Sequence, residues 1–214
     1  EVDGEVSEVP IIEGTEGERA LDISRLRSST NTITLDEGYV NTGSTTSAIT
    51  YLDGEQGILR YRGYPIEDLA SKADYVEVAY LLIYGKLPTA DEIEDFRNSL
   101  SLHTMIHEEM RSFYNGFPRD AHPMAIVGSV VGALSTFYQD SLDPRDPQQV
   151  EVGVHRLLAK LPTIAAYSYK KSVGQPLMYP RNDLGYCENF LQMMFAVPCE
   201  EYQVDPDFAK ALDM

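Results

Sequence analysis

Basic residues and cysteines are scarce in this sequence. Its 214 residues include 17 lysines and arginines against 34 aspartates and glutamates, which gives a formal net charge of −17. A chain with this charge repels the phosphate backbone of nucleic acids and anionic membrane surfaces, so general binding to either is excluded. The two cysteines, Cys187 and Cys199, lack C-x-x-C spacing, which predicts free thiols in a reducing cytoplasm.

Long apolar runs are missing as well. The central apolar stretch at residues 123–138 has 16 residues without a charge and is too short to span a bilayer. We expect no secretory signal, because no basic segment followed by an apolar run opens the chain. With 43% hydrophobic and 24% charged residues, the composition is that of a globular protein with one large domain or one domain and a small appendage.

Several well-known catalytic motifs are absent. The sequence contains no phosphate-binding loop, no Gly-x-Gly-x-x-Gly turn and no Gly-x-Ser-x-Gly elbow. His103 and His107 have the i, i+4 spacing of a helical zinc site, but Thr104 stands where the glutamate of a zinc-protease helix belongs. We therefore predict no metal site, and we expect the two histidines to form hydrogen bonds on one helix face. His122, before Pro123, is expected to cap a helix.

What remains is a mainly α-helical pattern with a small N-terminal β region. Residues 1–30 are predicted to form an acidic, loosely ordered leader, since seven of the first 20 are acidic and only Arg19 is basic. Residues 31–63 are predicted to form the β region, with a strand at 31–35 and a hairpin that pairs residues 48–52 with 58–62. Residues 64–214 are predicted to be helical.

Several start and stop signals divide the helical part. Thr89 and Glu92 have capping-box spacing, and Asp183 is a candidate N-cap for a helix through residue 196. A helix over residues 147–173 is expected to kink or restart at Pro162. A further helix begins near Asp205 and stops at Met214, so the chain is expected to be the front part of a longer protein; a native end with a frayed last turn is the alternative.

Glycines and cations mark two possible contact faces. Gly128 and Gly132 share one face of the helix over residues 123–138, which predicts close packing against a second helix, from this chain or from a second subunit. Arg156 and Lys160 share a face of the following helix, and Tyr138 lies just before it. From spacing alone, these cations either bind an anionic ligand or form ordinary ion pairs.

Six ordered stretches resemble citrate synthase, specifically the bacterial type II form, over residues 35–214. They are residues 53–70 (DGEQGILRYRGYPIEDLA), 103–107 (HTMIH), 118–124 (PRDAHPM), 137–143 (FYQDSLD), 161–163 (LPT) and 174–183 (GQPLMYPRND). The resemblance implies a citrate-synthase-like multi-helix domain that condenses acetyl-CoA with oxaloacetate. It implies no resident cofactor. The catalytic histidines and aspartate of the family belong to later motifs that this chain lacks, so no catalytic residue is assigned and the chain alone is expected to be inactive.

The same resemblance implies regulation and assembly. Type II enzymes are homodimers that assemble into hexamers, and many are inhibited by NADH. The family's NADH-binding positions match His103, Thr104, Tyr138, Arg156 and Lys160, whereas Leu102 replaces an expected arginine. Lys170 matches a position that contacts CoA phosphates in some relatives. Two alternatives stay open: a 2-methylcitrate synthase that uses propionyl-CoA, and a non-catalytic helical binding subunit of a split enzyme.

Overall fold

A computed structural model describes residue 4 and residues 6–214, and these residues fall into two compact units. The boundary lies between Ala48 and Ile49, inside the predicted β region. The larger unit is mainly helical, as predicted.

The smaller unit contains a hairpin and a short helix. Strands β1 (Ile11–Glu13) and β2 (Arg19–Leu21) pair antiparallel, with Ile12 opposite Ala20, and helix α1 spans Leu26–Thr30. The leader is thus more ordered than the sequence indicates; Glu1, Asp3 and Glu5 lie outside the described residues.

The strand predicted at residues 31–35 is wrong. Asn31 adopts a left-handed conformation with φ of 53° and ends α1, and the residues that follow pair with no strand in the described chain. Ile33 is 73% exposed. The alternation of β-branched and polar residues is insufficient here, because a strand also requires a partner for its backbone groups.

The predicted hairpin is confirmed in the larger unit. Strands β3 (Thr50–Asp53), β4 (Ile58–Tyr61) and β5 (Tyr64–Pro65) form an antiparallel sheet in that order. Asp53 pairs with Ile58 across the loop, and its Oδ1 accepts hydrogen bonds from the backbone N–H groups of Glu55 and Gln56. Gly57, with φ of +69°, supplies the left-handed residue that closes the loop.

The helices of the larger unit follow the sheet. They are α2 (Ile66–Lys72), α3 (Tyr75–Tyr84), α4 (Ala90–Leu102), α5 (Met110–Asn115), α6 (Pro123–Phe137), α7 (Pro147–Val173), α8 (Tyr186–Phe195) and α9 (Pro206–Asp213). A 3₁₀ turn at Gln139–Ser141 joins α6 to the segment before α7. None of the described helices combines the length and apolarity needed to cross a bilayer.

The capping predictions are mostly confirmed. Thr89 and Glu92 form a capping box at the start of α4, and the Nδ1 atom of His122 accepts a hydrogen bond from the backbone N–H of Met124. The prediction for α8 is wrong by two residues. Its N-cap is Gly185, whereas Asp183 forms an ion pair with Arg181.

Helix α7 organises the core of the larger unit. One apolar cluster joins residues of α5 and α6 to Ile164 and Tyr167 of α7. A second cluster joins α3 and α4 to Ala159, one turn earlier on α7. Helix α7 therefore packs against both groups of helices, and each turn of it has a defined position relative to α4 and α6.

Pro162 neither ends nor restarts α7, because the helix is continuous over its 27 residues. A proline has no N–H to donate to the carbonyl four residues earlier, here that of Leu158. The Tyr186 hydroxyl donates to this carbonyl instead, at 2.8 Å. This hydrogen bond satisfies the acceptor that Pro162 leaves open and fastens α8 to α7.

The glycine face of α6 has no packing partner among the described residues. Gly128 and Gly132 are exposed, and a Cβ atom added to either would meet no heavy atom within 4 Å. The opposite face carries Ile126, Val130 and Leu134, which are buried in the core. The predicted partner helix is therefore absent from this part of the chain, and packing against a second subunit stays a prediction.

Candidate functional site

Tyr138 lies at the centre of a cluster of polar residues between the end of α6 and the middle of α7. Arg156 and Lys160 are one helical turn apart on α7, and both cations approach the Tyr138 ring. The guanidinium carbon of Arg156 is 4.5 Å from the ring centroid, and the ammonium nitrogen of Lys160 is 4.9 Å from it. Both distances are within the range of cation–π attraction.

Arg156 is held by groups of the 3₁₀ turn. Its Nη1 donates to Asp140 Oδ1 at 2.6 Å and to Ser141 Oγ at 2.9 Å, and its Nη2 donates to Asp140 Oδ2 at 3.1 Å. These hydrogen bonds raise the pKa of Arg156 and lower that of Asp140. The Nε of Arg156 is buried and has no hydrogen-bond partner among the described residues.

Lys160 is buried, with 3% of its surface exposed, and it fixes the segment that follows α4. Its ammonium donates to the backbone oxygens of His103, at 2.7 Å, and Met105. The Thr163 hydroxyl donates to the intervening carbonyl, that of Thr104, at 2.8 Å. Three successive carbonyls are thus held by α7. Burial, together with the charge of Arg156, lowers the pKa of Lys160 to about 8.

His103 follows the last residue of α4 and is partly buried. Desolvation, and then the positive charges of Lys160 and Arg156, lower the pKa of its imidazole, so the ring is neutral at pH 7. A neutral imidazole both donates and accepts a hydrogen bond. Leu102, at the position where the resemblance leads one to expect arginine, is 78% exposed.

The prediction that His103 and His107 share a helix face is wrong. Helix α4 ends at Leu102, and His107 lies in the connection to α5, where its ring packs on Phe137 at 5.0 Å between centroids. Among the described residues, no group of three or more histidine, cysteine or carboxylate side chains is arranged to hold a metal ion.

The structure brings together all five residues of the predicted nucleotide site: His103, Thr104, Tyr138, Arg156 and Lys160. The ion-pair interpretation is confirmed for Arg156, whereas Lys160 donates to backbone carbonyls, and binding of an anionic ligand stays a prediction. Sequence reasoning missed Asp140, Ser141 and Thr163. Asp140 is 16 residues from Arg156 and shares no periodic pattern with it, so only the tertiary fold reveals this contact.

Lys170 does not belong to this cluster. Its side chain is fully buried, and its ammonium donates to the backbone oxygen of Ala196 and to Gln175 Oε1, each at 2.7 Å. These bonds hold the end of α8 against the end of α7. An ammonium that is buried and doubly bonded cannot reach a CoA phosphate without breaking both contacts, so the structure gives no support to that prediction.

The comparisons with known proteins identify the family. A sequence profile described as the C-terminal domain of citrate synthase matches residues 38–214. The chain belongs to the citrate synthase family. Citrate synthase 1 of Mycobacterium tuberculosis is 54% identical over 211 residues, which cover 99% of this chain and 49% of that protein. The citrate synthase of Corynebacterium glutamicum is 52% identical over 206 residues, which cover 96% of this chain and 47% of that protein.

Solved citrate synthase structures have the same fold. The enzyme of Pyrobaculum aerophilum superposes with a TM-score of 0.73 at 30% identity and covers 98% of this chain and 50% of its own. The Thermoplasma acidophilum citrate synthase, crystallised with carboxymethyl coenzyme A and oxaloacetate, has a TM-score of 0.75 at 23% identity and covers 85% of this chain and 46% of its own. This chain therefore spans about half the length of the citrate synthases that it matches.

Proposed function

We propose that this chain is part of a citrate synthase that condenses acetyl-CoA with oxaloacetate and water to form citrate and CoA, as in the tricarboxylic acid cycle. The observation that carries the proposal is the identity of more than half of all positions to a citrate synthase over nearly the whole chain. Substrate choice in such a family depends on pocket contacts worth only a few kcal/mol. Acetyl-CoA rather than propionyl-CoA is supported by the relatives, which are named citrate synthases.

In this proposal the chain forms part of the helical framework and the regulatory site, and residues outside these 214 carry out the proton transfers. The family abstracts a proton from the acetyl methyl group with an aspartate and uses two histidines on the carbonyl oxygens. The stretches that carry those residues do not occur among these 214 residues. Enolate formation requires such acid and base groups at the reacting carbon. We therefore expect no turnover by this chain alone.

The Tyr138 cluster is proposed as the site of allosteric inhibition by NADH. A dinucleotide carries two phosphates and two flat rings, so its site requires cations, an aromatic or hydrogen-bonding wall and a fixed backbone. Arg156 supplies a cation, and His103 and Tyr138 supply the rings. The buried ammonium of Lys160 stays bonded to two carbonyls, so it contributes its charge and, with Thr163, holds the Thr104 segment in place. Asp140 already binds the two terminal nitrogens of Arg156 and the Nε is buried, so a phosphate must displace this carboxylate.

The test uses the intact protein that contains this chain. Release of the CoA thiol from acetyl-CoA and oxaloacetate is measured against NADH concentration. Arg156→Gln removes the charge and the fork of donors, and we expect it to raise the half-inhibitory NADH concentration about tenfold, the loss typical of one charge-assisted contact. Lys72→Gln is the matched control, because Lys72 is an exposed cation that pairs only with Asp68 on α2.

Two results decide between the parts of the proposal. If the intact protein releases no CoA from these substrates, the condensation itself is refuted. If it turns over and Arg156→Gln shifts NADH inhibition no more than Lys72→Gln does, the regulatory site is refuted and the condensation stands. Turnover by the 214-residue chain alone would show that its own residues perform the chemistry.

We also propose that the intact protein is cytoplasmic and forms homodimers that assemble into a hexamer. The exposed glycine face of α6 supports it. Gly128 and Gly132 lie one turn apart with no neighbour within 4 Å of an added Cβ, so a second helix has room to approach closely. Two glycines inside a helix cost about 1 kcal/mol each relative to alanine, a cost that close packing between subunits would offset.

A further inference from the structure

A second group of cations surrounds a cavity at the other end of α7. The cavity has a volume of about 370 Å³ and lies between α5, the segment before α6 and the turn that follows α7. Arg111, Arg119 and Lys171 line it, together with neutral residues that include Asn115 and Gln175. No carboxylate is among the lining residues, although acidic residues outnumber basic ones two to one in the whole chain.

Arg111 forms a fixed wall of this cavity. Its Nη1 donates to the Tyr179 hydroxyl at 2.5 Å and to Glu108 Oε2 at 3.3 Å, and the Tyr179 hydroxyl donates to Glu108 Oε1 at 2.6 Å. The guanidinium carbon also lies 5.2 Å from the Tyr179 ring centroid. Arg111 is therefore held in one orientation before any ligand arrives.

Arg119 and Lys171 differ from most cations of the larger unit. Within the described chain their side chains have neither a hydrogen bond nor a carboxylate within 4 Å. By contrast, a carboxylate pairs with each of Lys72, Lys86, Arg97, Arg156 and Arg181. The Arg119 guanidinium packs directly on Gly174: a Cβ atom added there would lie 2.6 Å from its Nη2. The glycine thus leaves room for the guanidinium at the cavity wall.

The negative end of the α7 dipole does not neutralise the three cations of the cavity. The C-terminus of a helix carries about half an elementary negative charge, and part of it is already satisfied because the N–H groups of Gly174 and Gln175 bond to the last carbonyls. Glu108 offsets one further charge, that of Arg111. Three cations less these two contributions leave a net positive charge of about 1.5 in a concave site, where the field is concentrated.

We propose that this cavity, the Arg119 cavity, binds a small oxyanion with more than one charge, namely the phosphate or carboxylate groups of a metabolite. Two guanidinium groups and one ammonium match the oxygens of such a ligand, because arginine binds both groups through paired hydrogen bonds. The Asn115 amide provides a further neutral donor. The volume of the cavity suits a ligand of small-metabolite size.

The experiment measures anion binding by isothermal titration calorimetry. It uses the intact protein with the substitution Arg156→Gln as the background, so that binding at the Tyr138 cluster does not contribute and the NADH proposal can fail independently. The probes are pyrophosphate and benzene-1,3,5-tricarboxylate, each titrated alone; the second is a tricarboxylate that is neither substrate nor product of the proposed condensation. Arg119→Gln and Lys171→Gln are compared with Lys210→Gln, which removes one positive charge from an exposed position on α9.

We expect at least one probe to bind with a dissociation constant that rises about tenfold or more in Arg119→Gln and in Lys171→Gln, and changes less than twofold in Lys210→Gln. Preference for pyrophosphate or for the tricarboxylate then identifies the phosphate or the carboxylate source. The proposal is overturned if neither probe binds saturably, or if the control weakens binding as much as the cavity variants do. Lys171→Gln changes a side chain that has no described partner, so we expect this variant to fold. It keeps the test valid if Arg119→Gln fails to fold.

Discussion

The hydrogen bond between Tyr186 and the carbonyl of Leu158 predicts a specific coupling between two residues on different helices. Tyr186→Phe removes the hydroxyl and leaves the Leu158 carbonyl without the donor that Pro162 also fails to supply. An acceptor left unsatisfied in a partly buried position costs about 1–2 kcal/mol. For a protein of this size that loss lowers the melting temperature by roughly 2–8 °C.

The decisive measurement is a double-mutant cycle. Pro162→Ala restores an N–H group that can bond to the Leu158 carbonyl within α7, so the cost of Tyr186→Phe should fall to about 0.5 kcal/mol or less in that background. The coupling energy is then about 1 kcal/mol, a size typical of residues that share one partner. Free energies of unfolding come from urea titrations followed by circular dichroism at 222 nm, because the chain has no tryptophan.

Tyr64→Phe serves as the control, since Tyr64 lies on β5 with 40% of its surface exposed. We expect this change to alter stability by less than about 0.5 kcal/mol. Equal costs of Tyr186→Phe with proline and with alanine at position 162 would refute the reasoning, because the Leu158 carbonyl would then not be the shared acceptor.

Two further predictions concern Gly174, at the C-terminal end of α7, and the buried Lys160 within this helix. Gly174→Ala should lower the free energy of unfolding, measured in urea, more than Gly85→Ala does. Both glycines end helices at positive φ, where alanine costs about 1–2 kcal/mol. Only the Cβ atom at position 174 also collides with Arg119. Equal costs would show that the Arg119 contact is not restrictive. The pKa of Lys160, about 8 against its usual 10.5, means that the unfolded chain binds more protons between these pH values, so stability from this group rises with pH across that window. From pH 7.5 to 9.5 the wild type should therefore gain on the order of 2 kcal/mol relative to Lys160→Met, and a constant difference would contradict the burial of this charge.

Local signals in the sequence predicted much of the helical unit correctly. The Thr89–Glu92 capping box and the hairpin loop after Asp53 depend on residues only three to five positions apart, so their hydrogen bonds form wherever the local backbone allows. Helix α7 was also predicted over its full length, since its apolar periodicity continues on both sides of Pro162. The alternative of a restart at Pro162 was wrong, since the helix is continuous there and the hydroxyl that bonds to the Leu158 carbonyl comes from α8.

At the candidate site, too, the sequence predicted local positions but not the contacts between distant segments. Spacing alone placed Arg156 and Lys160 on one face, and the resemblance added His103, Thr104 and Tyr138. Neither indicated that Asp140 occupies the guanidinium of Arg156, nor that Lys160 is buried on backbone oxygens. These contacts join segments 16 and 57 residues apart, and no short-range pattern encodes such pairs.

By itself, the sequence determined the charge balance, the family resemblance and the positions of most helices, because these depend on composition and on side chains within one or two turns of each other. Only the tertiary structure decided which cations are already paired and which face a cavity. Lys170 proved to be buried, whereas its neighbour Lys171 lines the Arg119 cavity. Adjacent residues of a helix point about 100° apart, so the packing of α7 against its neighbours sets the environment of each.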